Sequence, residues 1–200
     1  MSKVDEELNR SRENFIVHYR KKYTSPQNPP AWMALEVLSF GQLSIMYKSL
    51  KANEAKKAVA EYFGVSYTIL ISWMEHLGYV RNLCAHHSRL WNRTMTIKPT
   101  LPKKTKYPWI DTSCIRHDKA YVSFSIMAFL LERIIPHSYF TGKLRALLHK
   151  FKGIDVRTAG FYKEWEFDPF WSKMKIPFTY QIRLLCFKYP TFRQILKISA

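Results

Sequence analysis

The sequence predicts an all-α fold, a helical bundle with additional short helices toward the C-terminal end. Glycine is rare, with 6 residues in 200, while good helix formers such as Leu, Ala, Met and Lys are common. Hydrophobic residues make up 47% of the chain, which is too many for a disordered protein. Apolar residues recur at helical spacing in several segments. A chain of this length suits one domain with a sizeable core.

The N-terminal part predicts three helices. Residues 4–23 form a charged pattern that the proline-rich run at 26–30 ends. A second helix is expected over residues 32–50, where apolar residues return every three or four positions. A third short helix follows, with Asn53 as a possible N-cap and Gly64 as its stop.

The later elements are predicted from longer patterns. Residues 67–92 read as one long helix, with a break expected either near Gly78 or after His87. Three prolines and four lysines make residues 94–108 a basic, irregular loop. Residues 120–135 form the most apolar helix and should be central, and a basic amphipathic helix is expected over 139–151.

We expect residues 1–135 to form the helical core and residues 136–200 a basic, aromatic-rich helical extension packed on the same domain. Short helices are the expectation for residues 153–200. The aromatic side chains between Phe161 and Trp171 are of the type that stacks on bases. Packing in the core is the favoured interpretation.

The charge is unevenly distributed. The net charge is +17, and residues 1–80 carry 10 Lys+Arg against 8 Asp+Glu, whereas residues 81–200 carry 22 against 7. A basic excess confined to one part of the chain is typical of a protein with a polyanionic partner, nucleic acid before a membrane surface. A generally basic, solvated surface is the alternative.

Cysteines and termini indicate a cytoplasmic protein. Cys84, Cys114 and Cys186 are widely spaced, so neither a disulfide framework nor a zinc pair is visible. The polar N-terminus lacks an apolar signal segment. No uncharged apolar run reaches the ~18 residues of a membrane helix. We expect no metal and no cofactor.

The stretch from Arg81 to Arg93, RNLCAHHSRLWNR, carries the candidate chemistry. If the helix continues through it, steps of four, three and four place four polar residues on one stripe. These are Asn82, His86, Arg89 and Arg93. Arg81 would then lie about 140° from His86 around the helix.

Histidine and arginine suit metal-independent RNA cleavage. The attacking 2′-hydroxyl needs a base and the leaving 5′-oxygen needs an acid, and imidazole can serve as either near neutral pH. A guanidinium can stabilise the negative charge that develops on the phosphate. Arg89 and Arg93 are interpreted as phosphate contacts, with a solvated face as the alternative.

The motif also resembles a known family. Arg81-Asn82-Leu83-Cys84-Ala85-His86 has the Arg-x4-to-6-His form of the HEPN superfamily, and the thirteen-residue stretch is similar to the hallmark of Abi-like proteins of the AbiD/AbiF type. Upstream, Trp32, Glu36, the run 38–44 and Ile71-Ser72-Trp73 look like the same family. The resemblance covers roughly residues 13–135.

This resemblance implies a HEPN-like helical bundle and a metal-independent endoribonuclease with Arg81 and His86 as the catalytic pair. Asn82 would orient the pair or touch the phosphate. Apart from the resemblance, we interpret His87 and Asn92 as RNA contacts. It also implies a homodimer with a composite active site and a toxin in phage defence or in a toxin–antitoxin system, in some cases with a small RNA antitoxin. The family usually has a further helical segment before the part that resembles residue 5 onward, and we expect this chain to lack it.

Several alternatives stay open at this stage. Arg81 and His86 could be a structural pair at a helix end, and His87 a packed histidine. Glu36 could orient Arg81 or Arg89 across the core or form a structural salt bridge. The chain as a whole could be a non-catalytic RNA-binding module holding a small structured RNA, or a subunit whose basic face meets an acidic protein.

Overall fold

The computed structural model describes residues 3–113, 115–136, 138–151 and 153–172, and within these ranges every regular element is a helix. The predicted all-α class is confirmed. The helices are α1 Lys3–Arg10, α2 Asn14–Lys22, α3 Ala31–Glu36, α4 Phe40–Ser49, α5 Glu54–Tyr62, α6 Tyr67–Ala85, α7 Ala120–Ile134, α8 Phe140–Lys150 and α9 Pro169–Ser172. Two short 3₁₀ helices, Val156–Ala159 and Trp165–Phe167, lie between α8 and α9.

The chain divides into two compact units, residues 1–56 and 57–200. The division that we predicted at residue 135, between a helical core and a C-terminal extension, stays a prediction. Short helices were expected over residues 153–200, and those up to residue 172 are confirmed. The rest of that prediction lies outside the described residues. No helix in the described part of the chain is long and apolar enough to cross a membrane.

The prediction of one helix over residues 4–23 is wrong, because the chain leaves the helix between α1 and α2. The Ser11 hydroxyl accepts a hydrogen bond from the Glu13 amide at 3.3 Å. Glu13 itself has extended backbone angles, with φ −60° and ψ 132°. Serine competes for backbone donors in this way and so favours caps and turns over helix interiors.

The single helix predicted over residues 32–50 is also two helices, α3 and α4. Ser39 begins α4 with a capping box, in which its hydroxyl accepts from the Gln42 amide and its own amide donates to Gln42 Oε1 at 2.8 Å. A capping box satisfies two amides that a helix start would otherwise leave unpaired. The apolar spacing continues across the break, so periodicity alone did not reveal it.

The predicted limits of α5 are confirmed. The Asn53 side chain accepts a hydrogen bond from the Lys56 amide at 3.0 Å, as an N-cap does. Gly64 follows the helix with φ +73°, and a Cβ at this position would lie 2.5 Å from Tyr107 Cδ2. Glycine is required here both by the left-handed backbone and by the neighbouring ring.

In the unit of residues 57–200, the core is built on α7. This helix is buried around most of its circumference, with Tyr121 and Ile126 fully buried, which confirms its predicted central position. It packs against α6 and α8. α8 lies within the predicted range, and α7 ends just before Pro136, as expected.

Core packing is confirmed for most of the aromatic residues between Phe161 and Trp171. The ring of Phe161 meets those of Tyr121 and Trp165 edge-on, with both centroid distances 4.8 Å. The Trp171 indole donates a hydrogen bond to the Tyr121 hydroxyl at 2.9 Å. Phe167 is the exception, with 80% of its surface exposed.

Candidate functional site

The long helix α6 ends inside the motif, at Ala85. The His87 amide donates to the Cys84 carbonyl at 3.0 Å and the Ser88 amide to the Leu83 carbonyl at 2.8 Å. This pair of bonds is a Schellman motif, which requires a left-handed residue, and His87 takes that role with φ 53°. We predicted a break after His87, and the helix does end there, two residues earlier than expected. Gly78 does not interrupt the helix.

The predicted helical stripe of Asn82, His86, Arg89 and Arg93 is therefore wrong. Only Asn82 lies within α6, and His86 is the C-cap residue, with φ −92°. Arg89 and Arg93 lie beyond the reversal of the chain. The prediction failed because the left-handed turn at His87 is a backbone state that apolar spacing does not encode.

After the reversal, the chain runs back along α6. Residues 93–100 form this return segment. The Thr100 amide donates to Ser72 Oγ at 2.8 Å, and the Trp73 indole donates to the Thr100 carbonyl at 3.0 Å. Nearer the motif, the Thr96 hydroxyl lies 3.4 Å from the Tyr79 hydroxyl. The return segment is thus antiparallel to α6 over about two helical turns.

His76 joins the return segment to the core. It is fully buried, with Nδ1 2.6 Å from the Ile97 carbonyl and Nε2 2.8 Å from Ser123 Oγ. A neutral ring satisfies both partners if Nδ1–H donates to the carbonyl and Nε2 accepts from the hydroxyl. Burial lowers the pKa of His76 below its ordinary value, which favours this neutral form.

The C-terminal end of the motif is held by contacts with residues that lie later in the sequence. Trp91 stacks on Phe161, with ring centroids 6.3 Å apart. The buried Lys119 reaches the Asn92 carbonyl at 3.5 Å and the Thr94 hydroxyl at 3.4 Å. Asn92 is exposed and left-handed, with φ 56°. These contacts fix residues 91–94, so the C-terminal end of the motif has a defined backbone conformation.

The two predicted catalytic residues are both exposed at the end of α6. The Arg81 guanidinium donates to Asn82 Oδ1 at 3.1 Å, so the amide of Asn82 is in a position to orient it. His86 is tied to Asn82 through its backbone, since its amide donates to the Asn82 carbonyl at 3.0 Å. Among the described residues, no side-chain hydrogen bond engages the rings of His86 and His87 or joins Arg81 to His86.

The arginines of the motif differ from other arginines of this unit. Arg116 and Arg157 are held by neighbouring carboxylates, with N–O distances of 3.2 Å to Asp118 and 2.9 Å to Asp155. In contrast, within the described ranges no carboxylate forms an ion pair with any of the three motif arginines. These are Arg81, Arg89 and Arg93. Cations without a protein counterion leave a surface that favours a bound anion.

Tyr79 is a residue of this surface that the sequence argument missed. It lies three residues before Asn82 and seven before His86, so the same spacing of three and four would have included it. Arg93 of the return segment lies near its hydroxyl. The Thr96 hydroxyl and, to a smaller extent, Arg93 hold the pKa of Tyr79 below its ordinary value. The reversal of the chain thus brings Arg93 to the surface of α6, although Arg93 is not part of that helix.

Two further residues named in the sequence analysis are Glu36 and Cys84. Glu36 is exposed in α3, and among the described residues of its own unit it makes no ion pair. Its predicted pairing with Arg81 or Arg89 stays a prediction. Cys84 is an exposed free thiol. Within the part of the chain that the structure describes, no three His, Cys, Asp or Glu side chains are grouped so that they could hold a metal ion.

Taken together, fold and site define an all-helical protein that presents an exposed Arg/His motif at the end of its longest described helix. Residues 1–92 match the family model described as Abi-like protein. This match confirms the predicted Abi-like assignment for residues 1–92, which include Arg81, Asn82, His86, His87, Arg89 and Asn92. The assignment suggests a role in abortive infection, that is, in phage defence. No curated protein and no solved structure matches the chain.

Proposed function

We propose that this protein is a metal-independent endoribonuclease of the HEPN type, which cleaves single-stranded RNA as a toxin in phage defence or in a toxin–antitoxin system. The observation that carries the proposal is the end of α6, where an arginine without a counterion in the described chain lies five residues before an exposed histidine at the helix C-cap. The Abi-like assignment and the basic excess of residues 81–200 support it.

The reaction requires only acid, base and charge stabilisation. One imidazole accepts the proton of the 2′-hydroxyl, whose oxygen attacks the adjacent phosphorus. The bond from phosphorus to the 5′-oxygen breaks, and that oxygen receives a proton from an acid. The products are a 2′,3′-cyclic phosphate and a 5′-hydroxyl, so the atoms and protons balance without an oxidant or a metal ion.

The proposal gives each residue of the motif a role. His86 is the acid–base residue, and Arg81 stabilises the negative phosphate, with Asn82 orienting its guanidinium through the 3.1 Å hydrogen bond. His87, Arg89, Asn92 and Arg93 contact the RNA on either side. Glu36 remains a candidate for orienting an arginine.

One histidine supplies one proton transfer at a time, whereas the reaction uses a base and an acid. The proposal therefore includes a homodimer in which two sets of Arg81 and His86 form a composite active site. RNA is the substrate, and a small RNA antitoxin is a further possible partner. Mass measurement of the purified protein by light scattering tests the dimer directly.

A cleavage assay on single-stranded RNA in EDTA tests the activity. Wild-type protein is compared with His86→Ala and Arg81→Ala, and the product ends are identified by their reactivity with kinase and phosphatase. We expect cyclic phosphate ends from the wild type and a loss of at least 10²-fold in rate for His86→Ala, the lower bound for acid–base catalysis.

Two variants serve as matched controls. His117→Ala removes an exposed histidine and Arg12→Ala an exposed arginine, both outside the motif, and neither should change the rate. Cleavage that survives in His86→Ala, or that needs an added divalent ion, contradicts the proposal. Salt-dependent RNA binding without cleavage by a folded dimer would instead identify a non-catalytic RNA-binding module.

A further inference from the structure

The surface of α6 one turn before Asn82 carries a second polar constellation, formed by Tyr79 and Arg93. The Tyr79 hydroxyl lies 3.5 Å from the Thr96 amide nitrogen, and the Arg93 guanidinium is near enough to help lower the pKa of Tyr79. Thr96 Oγ1 is 3.4 Å from the same oxygen. These contacts join α6 to the return segment at a point that the reaction described above does not use.

The position of Arg93 depends on a well-anchored backbone. Two residues further on, Met95 is fully buried and its amide donates to the Asp118 carbonyl at 2.8 Å. One residue before Arg93, the Asn92 carbonyl accepts from Lys119. A side chain on a fixed backbone loses less entropy on binding a ligand than one on a loose loop. Ligand binding by Arg93 therefore has a smaller entropic cost.

The chemistry of the pair favours a phosphate. A guanidinium has five N–H donors, which is more than the neighbouring Tyr79 hydroxyl can occupy. No carboxylate in the described ranges neutralises Arg93. A phenol whose oxygen already accepts hydrogen bonds can turn its own proton outward, toward a second phosphate oxygen. The guanidinium and the phenol together offer charged and neutral donors for the oxygens of one phosphate.

We propose that Tyr79 and Arg93 form a phosphate-binding subsite that holds the RNA backbone beside the cleaved bond. Tyr79 lies seven residues from His86, or about 10 Å along the helix axis, which is too far for contact with the reacting phosphorus. The subsite rests on the proposed RNA cleavage at Arg81 and His86 and assigns to it a flanking phosphodiester of the substrate.

Binding to an RNA that cannot be cleaved tests the subsite independently of catalysis. The probe is a fluorescent single-stranded RNA methylated at every 2′-oxygen, titrated at several salt concentrations. Arg93→Gln should weaken binding roughly tenfold and flatten the dependence of log K on log salt by about 0.7, the value for one phosphate on a single strand. Tyr79→Phe should weaken binding roughly threefold with a smaller change in slope.

Arg157→Gln is the matched control, because it removes the same charge from the same unit at an arginine that Asp155 already holds. It should leave both affinity and slope near the wild-type values. Melting temperatures show whether each variant is folded. Should Arg93→Gln unfold, Arg93→Lys keeps the charge and is expected to retain the salt slope while losing part of the affinity.

Cleavage kinetics on ordinary RNA separate the subsite from the reacting centre. A flanking contact binds ground state and transition state equally, so Tyr79→Phe and Arg93→Gln should raise KM and leave kcat unchanged. A fall in kcat at constant KM overturns the proposal, as does unchanged RNA affinity. If the wild type binds RNA but does not cut it, the proposed function fails, and the binding experiment still decides the subsite.

Discussion

Gly160 lies so close to Lys119 that a Cβ on the glycine would be 2.5 Å from the Cβ of the lysine. Lys119 begins α7 and reaches the backbone of the motif with its ammonium group. Gly160 also has φ +92°, a backbone state that other residues rarely adopt. The close approach therefore links the C-terminal segment to the residues that hold the motif in place.

Gly160→Ala is expected to destabilise the fold by about 2 kcal/mol or more, because the new methyl group meets Lys119 and the backbone becomes strained. Gly41→Ala is the opposite control. Gly41 lies in α4 with no atom within 4 Å of an added Cβ, so alanine should stabilise by about 0.5–1 kcal/mol. Urea unfolding measures both, and equal effects of the two changes would contradict the structure.

His87→Gly should stabilise the protein by about 1 kcal/mol, since a left-handed residue with a side chain costs that much and glycine does not. His86→Gly, one residue earlier at φ −92°, should lose stability because glycine there only adds freedom to the unfolded chain. Thermal melting distinguishes the two. A loss of stability in His87→Gly would mean that α6 does not end in the left-handed turn.

The free energy of unfolding should decrease as the pH is lowered below about 6.5, the ordinary pKa of histidine. His76 is neutral when folded because burial lowers its pKa, so the unfolded state binds more protons in this window. Stability is then fully present above this pH and is lost as the pH falls toward the folded pKa of His76, with a slope of at most about 1.4 kcal/mol per pH unit.

His76→Gln isolates this contribution. The variant should be less stable at pH 7.5 by about 1–3 kcal/mol, because the hydrogen bonds to Ile97 and Ser123 cannot both be kept. Its stability should then depend less on pH between 5 and 7 than that of the wild type, as measured by urea unfolding in matched buffers. Parallel pH curves would show that His76 does not titrate as inferred.

Lys119→Met should loosen the motif without unfolding the protein. A buried ammonium costs desolvation, so an apolar side chain of similar length is expected to change the free energy of unfolding by less than about 1 kcal/mol. The lost contacts to Asn92 and Thr94 should make limited tryptic cleavage after Arg89 and Arg93 faster. Lys143→Met, on the exposed side of α8, is the control. If Lys119→Met is digested at the same rate as the wild type, Lys119 does not anchor the motif.

Much of the fold was predictable because its signals are local. Apolar spacing indicated α6 and α7, and Asn53 and Gly64 marked the limits of α5, since caps and stops act within a few residues of the helix end. The breaks inside the first two predicted helices were missed, because Ser11 and Ser39 redirect the backbone by one or two local hydrogen bonds while the apolar pattern continues. Tyr79 was within reach of the spacing rule.

By itself, the sequence determined the all-α class and the Abi-like assignment of residues 1–92, because both depend on residue type and spacing along the chain. Only the tertiary structure decided that the chain reverses after α6 and that Arg93 returns to Tyr79. That path depends on partners distant in sequence, such as Phe161 for Trp91 and Asp118 for Met95. A helix that continues and a chain that reverses share one local pattern, and long-range packing selects between them.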